Sequence, residues 1–237
     1  PWTWRAISEA GDAGGRFEHG LGVGDVNGDG LLDIVQREFW YEHSVDPDST
    51  WKKHRWNLPP QPGGAQILVH DFDGDGDSDI VSSIRAHGFG LAWYEQTEPG
   101  RFSRRDIMGE SSTDNPHGVC FSQLHALALS DIDRDGRMDF VTGKRYLAHQ
   151  GKDPGGLQAP VVYWFRNVSG EEGVAFVPHF VDDDSGVGVE VKVADLDGDG
   201  SPDIVSGNKR GLAIHLQKDG AEHVDPEPWQ VAGGRPQ

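Results

Sequence analysis

The sequence predicts an all-β fold, a β-propeller built from four-stranded blades whose A–B turns are calcium-binding loops. Three observations predict it. A spaced aspartate loop occurs four times in 237 residues. Each copy sits between two short apolar, β-branched runs. No stretch of the chain carries a 3.6-residue apolar period, and the 33 glycines and 14 prolines favour turns over helices.

The loops read D-x-[DN]-x-D-G-x-x-D. The first has Asp25, Asn27, Asp29 and Asp33; the second has Asp71, Asp73, Asp75 and Asp79, with Asp77 in addition. The third has Asp131, Asp133, Asp135 and Asp139; the fourth has Asp195, Asp197, Asp199 and Asp203. Oxygen ligands at positions 1, 3, 5 and 9, with a backbone carbonyl at position 7, make the hard cage that suits Ca²⁺. The glycine at position 6 (Gly30, Gly76, Gly136, Gly200) permits a sharp turn. An EF-hand would need Glu at position 12, where Gln36, Ser82, Thr142 and Ser206 stand, and it would need flanking helices. Four copies with one internal spacing set these loops apart from ordinary Asp/Gly turns, and their expected role is structural.

Loop starts fall at 25, 71, 131 and 195, intervals of 46, 60 and 64 residues. A propeller blade takes about 40–50 residues, so the later repeats carry insertions. The repeats run about 19–58, 65–108, 123–183 and 187–231, in a single domain over 1–237. After each loop comes a B strand (Ile34-Val35, Ile80-Val81, Phe140-Val141, Ile204-Val205). Aromatic C strands follow at 39–42, 91–95 and 161–165, with 212–215 in the fourth repeat. D strands follow at 51–54, 102–105 and 176–179. The fourth D strand is poorly defined near Trp229. Residues 2–8 offer a spare outer strand that would close the ring.

The formal net charge is −18, which disfavours nucleic acid and anionic membrane surfaces as partners. Sixteen of the 39 acidic residues lie in the four loops, so four bound Ca²⁺ would bring −18 to −10. One cysteine, Cys120, excludes an internal disulfide. No apolar run approaches ~20 residues, so no membrane insertion is expected. Calcium loops of this kind point to a secreted or periplasmic setting, where calcium is plentiful.

If the loops mark one face of the ring, the B–C turns and the residues entering each A strand mark the other. Those positions hold His19, Gln66, His125 and Glu190, together with Arg85, His87, Lys144, Arg145, Tyr146, His149 and Lys209. This is a basic, histidine-rich mouth on an acidic protein, suited to a carbohydrate or another small polar ligand. Converging imidazoles of His19, His87, His125 and His149 would suit Zn²⁺ or another divalent ion. Lys144 or Tyr146 would then serve as acid or base. Gln66, Arg85, Glu190, Lys209 and His19 would contact substrate. Equally, the histidines could cap strand ends, with the face serving as a non-catalytic glycan- or protein-binding or adhesion module.

The aspartate-loop segments resemble the FG-GAP/VCBS repeats of calcium-bearing propellers. The strings His19–Gly30, Ala86–Leu91, Phe121–His125, Gly143–Arg145 and Asp184–Gly188 are further similar to a bacterial group of VCBS-repeat proteins. That group is distantly similar to the propeller domain of aldos-2-ulose dehydratases. The resemblance implies a metal-dependent lyase that removes water from a keto-sugar. It implies His87, His125 and His149 as metal ligands, with Lys144, Arg145 or Tyr146 handling protons or binding hydroxyls. That family's propeller has seven blades and further domains, so four repeats read as part of a larger ring or as a compact version.

Overall fold

The computed structural model describes residues 1–12, 20–56, 65–170 and 173–218. Each aspartate loop joins two antiparallel strands. The first sheet is β1 (Gly22–Gly24), β2 (Asp33–Val35), β3 (Phe39–Glu42) and β4 (Lys52–Arg55). The second is β5 (Ile67–His70), β6 (Asp79–Ser83), β7 (Leu91–Glu98) and β8 (Arg101–Met108). The third is β9 (Leu127–Ser130), β10 (Asp139–Gly143), β11 (Val162–Gly170) and β12 (Gly173–Asp182). The fourth has three described strands, β13 (Val191–Ala194), β14 (Asp203–Asn208) and β15 (Gly211–His215). Within every sheet the strands pair in chain order, so each is one propeller blade, with strands A to D in the first three and A to C described in the fourth. The described helical segments are two short 3₁₀ turns, and among the described residues no helix is long and apolar enough to cross a membrane.

The blades stack through their innermost strands, β1 on β5, β5 on β9 and β9 on β13. Strand alternation gives each blade two apolar faces, and each boundary buries one face of each neighbour. Between the first two blades lie Val26, Val35 and Trp40 against Ile67, Ile80 and Tyr94. Between the second and third lie Leu68, Val81, Leu91 and Trp93 against Phe140, Tyr163, Phe165 and Phe176. Between the third and fourth lie Ile132, Val141, Val162 and Trp164 against Val187, Val191 and Ile204.

The register explains the repeated aromatic of strand C. Trp40 pairs with His54, Trp93 with Arg105 and Trp164 with His179. The first and third pairs stack at 4.1 and 4.3 Å between ring centroids. In the second, the guanidinium lies 5.5 Å from the indole ring. A flat, polarisable group on strand D thus covers the tryptophan face that strand C presents.

Ile214 occupies the same register position as those tryptophans, and Leu212 that of Leu91 and Val162. Leu91 and Val162 are fully buried, whereas Leu212 is 87% exposed and Ile214 60% exposed. The fourth blade therefore presents outward the face that the first three bury.

The amino-terminal segment does not take the closing position expected of residues 2–8. The Arg5 guanidinium donates to the carbonyls of Asp46 and Ser49, and the Trp51 amide donates to the Ile7 carbonyl at 2.8 Å. It lies along the C–D turn of the first blade, held by the Arg5 side chain and one backbone hydrogen bond, and forms no strand. The expected fourth D strand near Trp229 lies outside the described residues.

Candidate functional site

The four loops share one hydrogen-bond plan. The first aspartate turns its two oxygens onto loop amides. Asp25 accepts from Gly28 and Gly30, Asp71 from Gly74 and Gly76, and Asp195 from Gly198 and Gly200. Asp131 accepts from Asp135 and Gly136. The last aspartate of each loop is fully buried and accepts two amides, one from the loop and one from the end of strand C. The strand C donors are His43 for Asp33, Gln96 for Asp79, Asn167 for Asp139 and Gln217 for Asp203. Position 4 is glycine with positive φ in three loops (Gly28, Gly74, Gly198); the third holds Arg134 at φ 61°.

Carboxylate oxygens converge within 4.8 Å in three loops, on Asp71/Asp73/Asp75, Asp131/Asp133/Asp139 and Asp195/Asp197/Asp199. Burial, with neighbouring carboxylates adding to it, pushes Asp79 up to about 7, and Asp77 and Asp139 up to about 6. Crowded carboxylates that resist ionisation are a donor set suited to a hard dication. In the third loop Arg166 already pairs with Asp133 and Asp135.

The opposite face carries a different cluster, built by the B–C turns of the second and third blades. His87 lies between β6 and β7; His149 and Asp153 lie in the insertion between β10 and β11. Backbone hydrogen bonds lace this face together. The Gln123 amide donates to Gly88 O, the Arg145 amide to Gln123 O, the Gln66 amide to His125 O and the Val187 amide to Lys144 O. Within the insertion, turns closed by Lys152 on His149 and by Gly156 on Asp153 bring Asp153 back beneath His149. Lys144 Nζ donates to the carbonyls of Arg145 and Gly156 and clamps the loop from inside.

His87 Nδ1 lies 3.2 Å from His149 Nδ1, and Asp153 Oδ2 lies 3.3 Å from the first and 2.7 Å from the second. Ligands held about 2.1 Å from one ion stand about 3.0 Å apart at right angles and about 3.4 Å apart at the tetrahedral angle. Two edges of the triangle, 3.2 and 3.3 Å, fall in that range, and the third, 2.7 Å, is the shorter His149–Asp153 hydrogen bond; the donor set is that of a two-histidine, one-carboxylate divalent-metal site. The two imidazoles stack, 4.6 Å between ring centroids and 16° between planes, so a turn of one ring about its side-chain bonds would be needed to aim both Nδ1 lone pairs and the carboxylate oxygen at one cation. Burial acts to raise Asp153, but hydrogen bonds from His149 and His87 outweigh it and hold the carboxyl below its ordinary range. Gln123 Nε2 reaches the same oxygen at 3.4 Å.

Four of the five non-glycine residues with positive φ among the described residues lie here: Gln123 (64°), Leu147 (45°), His149 (48°) and Gln150 (59°). Such backbone costs of order 1 kcal/mol or more per residue and persists where the surroundings impose it.

The expected site residues are placed as follows. His87 and His149 come together. His125 is not in the triangle: its ring meets His87 edge-on at 4.8 Å, its Nε2 takes Arg145 at 2.8 Å, and its Nδ1 faces Gln123 O. Lys144 is fully buried and makes the clamp described above. Burial lowers it to about 8. Tyr146 lies beneath the Arg210 guanidinium, 5.2 Å from it. Arg85 pairs with Glu110, Glu190 with Lys192, Gln66 reaches Leu21 O, and Lys209 binds Leu147 O. These four serve local contacts. His19 lies outside the described residues. Asp153 was missed; its signal was the Asp-Pro-Gly-Gly turn four residues after His149.

A concavity of about 300 Å³ lies at the boundary between the third and fourth blades, lined by Asp182, Ser185, Arg210 and His215. Ser185 Oγ is 3.1 Å from His215 Nε2, but Asp182 accepts the Ser185 amide, so the three do not form a nucleophilic relay.

A family model described as the FG-GAP-like repeat matches residues 71–142 and again 131–206. The chain belongs to the FG-GAP-like repeat family. The two matched spans of this FG-GAP-like repeat protein take in the second, third and fourth aspartate loops. Among solved structures it is similar to the Bacillus licheniformis rhamnogalacturonan lyase PL11, at 16% identity and a TM-score of 0.43. That similarity covers 78% of this chain and 39% of the lyase, so the chain spans less than half of that protein's length. No curated protein matches the chain.

Proposed function

We propose that this FG-GAP-like propeller is stabilised by Ca²⁺ in its aspartate loops and carries a second divalent ion, such as Zn²⁺, on the opposite face. His87, His149 and Asp153 are its ligands, and the function is metal-dependent lyase chemistry, of the dehydratase type, on an oxygen-rich substrate such as a keto-sugar. The observation that carries the reading is the triangle of His87 Nδ1, His149 Nδ1 and Asp153 Oδ2 with edges of 3.2, 3.3 and 2.7 Å. An ion held there would supply Lewis-acid polarisation of a substrate carbonyl or hydroxyl. Gln123 orients Asp153, and the half-exposed rims of His87 and His149 leave the remaining positions open to substrate or water. A need for calcium suits a secreted or periplasmic protein.

The test is metal analysis of calcium-saturated protein, with Co²⁺ absorption as a second readout. One equivalent of a transition metal beyond the calcium, lost in His149→Ala and in Asp153→Asn, is the expected result. Protein that holds calcium alone and gives no Co²⁺ spectrum would overturn the centre. Ligand binding without turnover in metal-loaded protein would favour a glycan-binding module over a lyase.

A further inference from the structure

We propose that Arg145 is the seat of a carboxylate, so that the ligand of this face is a hydroxy acid of the sugar-acid class and not a neutral sugar. The hydroxyl end of that ligand rests on the metal-centre reading above; the carboxylate end rests on Arg145 itself.

Arg145 differs from most of the described arginines of this acidic chain; Arg5 and Arg134 end on backbone carbonyls. Arg37, Arg85, Arg104, Arg105, Arg166 and Arg210 each end on a carboxylate. The Arg145 side chain, half-buried, instead meets the imidazole of His125 at 2.8 Å, its side-chain partner among the described residues. With Nδ1 facing the Gln123 carbonyl, His125 presents the Nε2 lone pair to Arg145 and is a neutral acceptor. One guanidinium N–H is thereby fixed, and the planar fork keeps donors for a bidentate anion. The backbone of Arg145 is fixed as well, by its amide on Gln123 O and by a parallel bridge to Val187.

The position adjoins the triangle. His125 touches Arg145 on one side and the His87 ring on the other, and the charge of Asp153 is felt by Arg145. Asp153 Oδ2 is committed to His149 and His87, so it does not neutralise the guanidinium by direct contact. A dication on the triangle would leave this corner at a net charge of about +2, the ion and Arg145 against Asp153. That is an anion site on a protein whose overall charge is −18.

A second, independent feature points to the hydroxyl. Gln123 is fully buried, its amide nitrogen holds Asp153, and its Oε1 finds no donor among the described residues. Ser122 Oγ, one residue away and fully buried, is likewise unpartnered among them. A buried acceptor beside the triangle asks for an O–H donor on the ligand. Carboxylate on Arg145 and hydroxyl toward Gln123 and the ion describe a sugar acid.

The experiment compares D-glucuronate with D-glucose, which differ at one carbon, by calorimetric titration of the full chain in saturating Ca²⁺, with and without Zn²⁺. Wild type is expected to bind glucuronate at least about tenfold more tightly than glucose, and Arg145→Gln to remove the difference. Arg145→Lys, which keeps the charge without the fork, should fall between them. Equal affinities in wild type, or a preference untouched by Arg145→Gln, overturns the proposal. If Arg145→Gln loses the calcium-dependent melting transition, Arg145→Lys decides, and an unchanged preference there overturns it. Co²⁺ absorption on the same samples reads the metal centre separately. Failure of Co²⁺ to bind removes that centre, while the glucuronate comparison in metal-free protein still decides Arg145.

Discussion

Asp139 Oδ1 accepts the amide of Asn167 at 2.8 Å, a hydrogen bond that ties the end of the third aspartate loop to strand C across the blade. The other oxygen takes the amide of Ile132 at 3.0 Å. Each loop repeats this cross-tie, so the last aspartate joins two turns of its blade whether or not a cation is bound.

Replacing that aspartate should therefore cost stability even in chelator. Asp139→Ala leaves two buried amides without acceptors, at about 1–3 kcal/mol each, for an expected loss of about 2–6 kcal/mol. Asp139→Asn keeps one carbonyl acceptor and should lose about half as much. Urea unfolding in EDTA measures both, and an alanine variant as stable as wild type would refute the cross-tie.

Calcium should add to this. A site filled at a hundredfold its Kd only in the folded state contributes about 2.7 kcal/mol. Chelation should lower the melting temperature, and restoring Ca²⁺ should recover it more effectively than equimolar Mg²⁺, which demands a tighter octahedron. An identical melt with and without EDTA would exclude a stabilising ion in the loops.

Arg134 is the one non-glycine at loop position 4, at φ 61°. Left-handed backbone costs a side-chain-bearing residue about 1–2 kcal/mol, and glycine's extra chain entropy returns about 0.5–1 of that. Arg134→Gly should raise stability by up to about 1 kcal/mol, seen as a higher urea midpoint at unchanged slope. A lower midpoint would mean that its hydrogen bond to Gly200 O outweighs the strain.

Lys144 gives a pH signature. Burial lowers it from 10.5 to about 8, so the folded state disfavours its ammonium. The cost, about 3 kcal/mol, is fully present below pH 8. It fades as pH rises to about 10.5, above which the amine is neutral in both states. Stability should climb across that window relative to Lys144→Met, which lacks the titration. Parallel stability–pH curves for the two proteins would count against a buried ammonium.

The aspartate loops were legible because one chemistry recurs at one spacing, and four copies carry their own register. The tryptophans of strand C were legible as packing because alternation places them opposite the D strand. The metal triangle was only half legible. His87 and His149 are 62 residues apart and meet because two blades are neighbours. Asp153 arrives through turns whose αL residues at Leu147 and His149 no propensity favours. His125 read as a third ligand because it enters strand A on the right face, yet its ring nitrogens are taken by Arg145 and the Gln123 carbonyl. Residues 2–8 alternate like a strand, but alternation does not name a partner, and Arg5 and Ile7 find theirs on the first blade.

The uncovered face at Leu212 and Ile214 has a consequence for how rigidity is distributed. The described blades pack chiefly on their sequence neighbours, so the exposure of this face acts locally and fades along the chain. Amide hydrogen exchange should be fastest in β13–β15 and slowest at the boundary of the second and third blades, where Phe140, Phe165 and Trp93 interlock. His87 and His149 stand on the two sides of that boundary. The strained triangle is thus anchored to the slowest-opening part of the molecule, and the softer fourth blade can breathe without disturbing it.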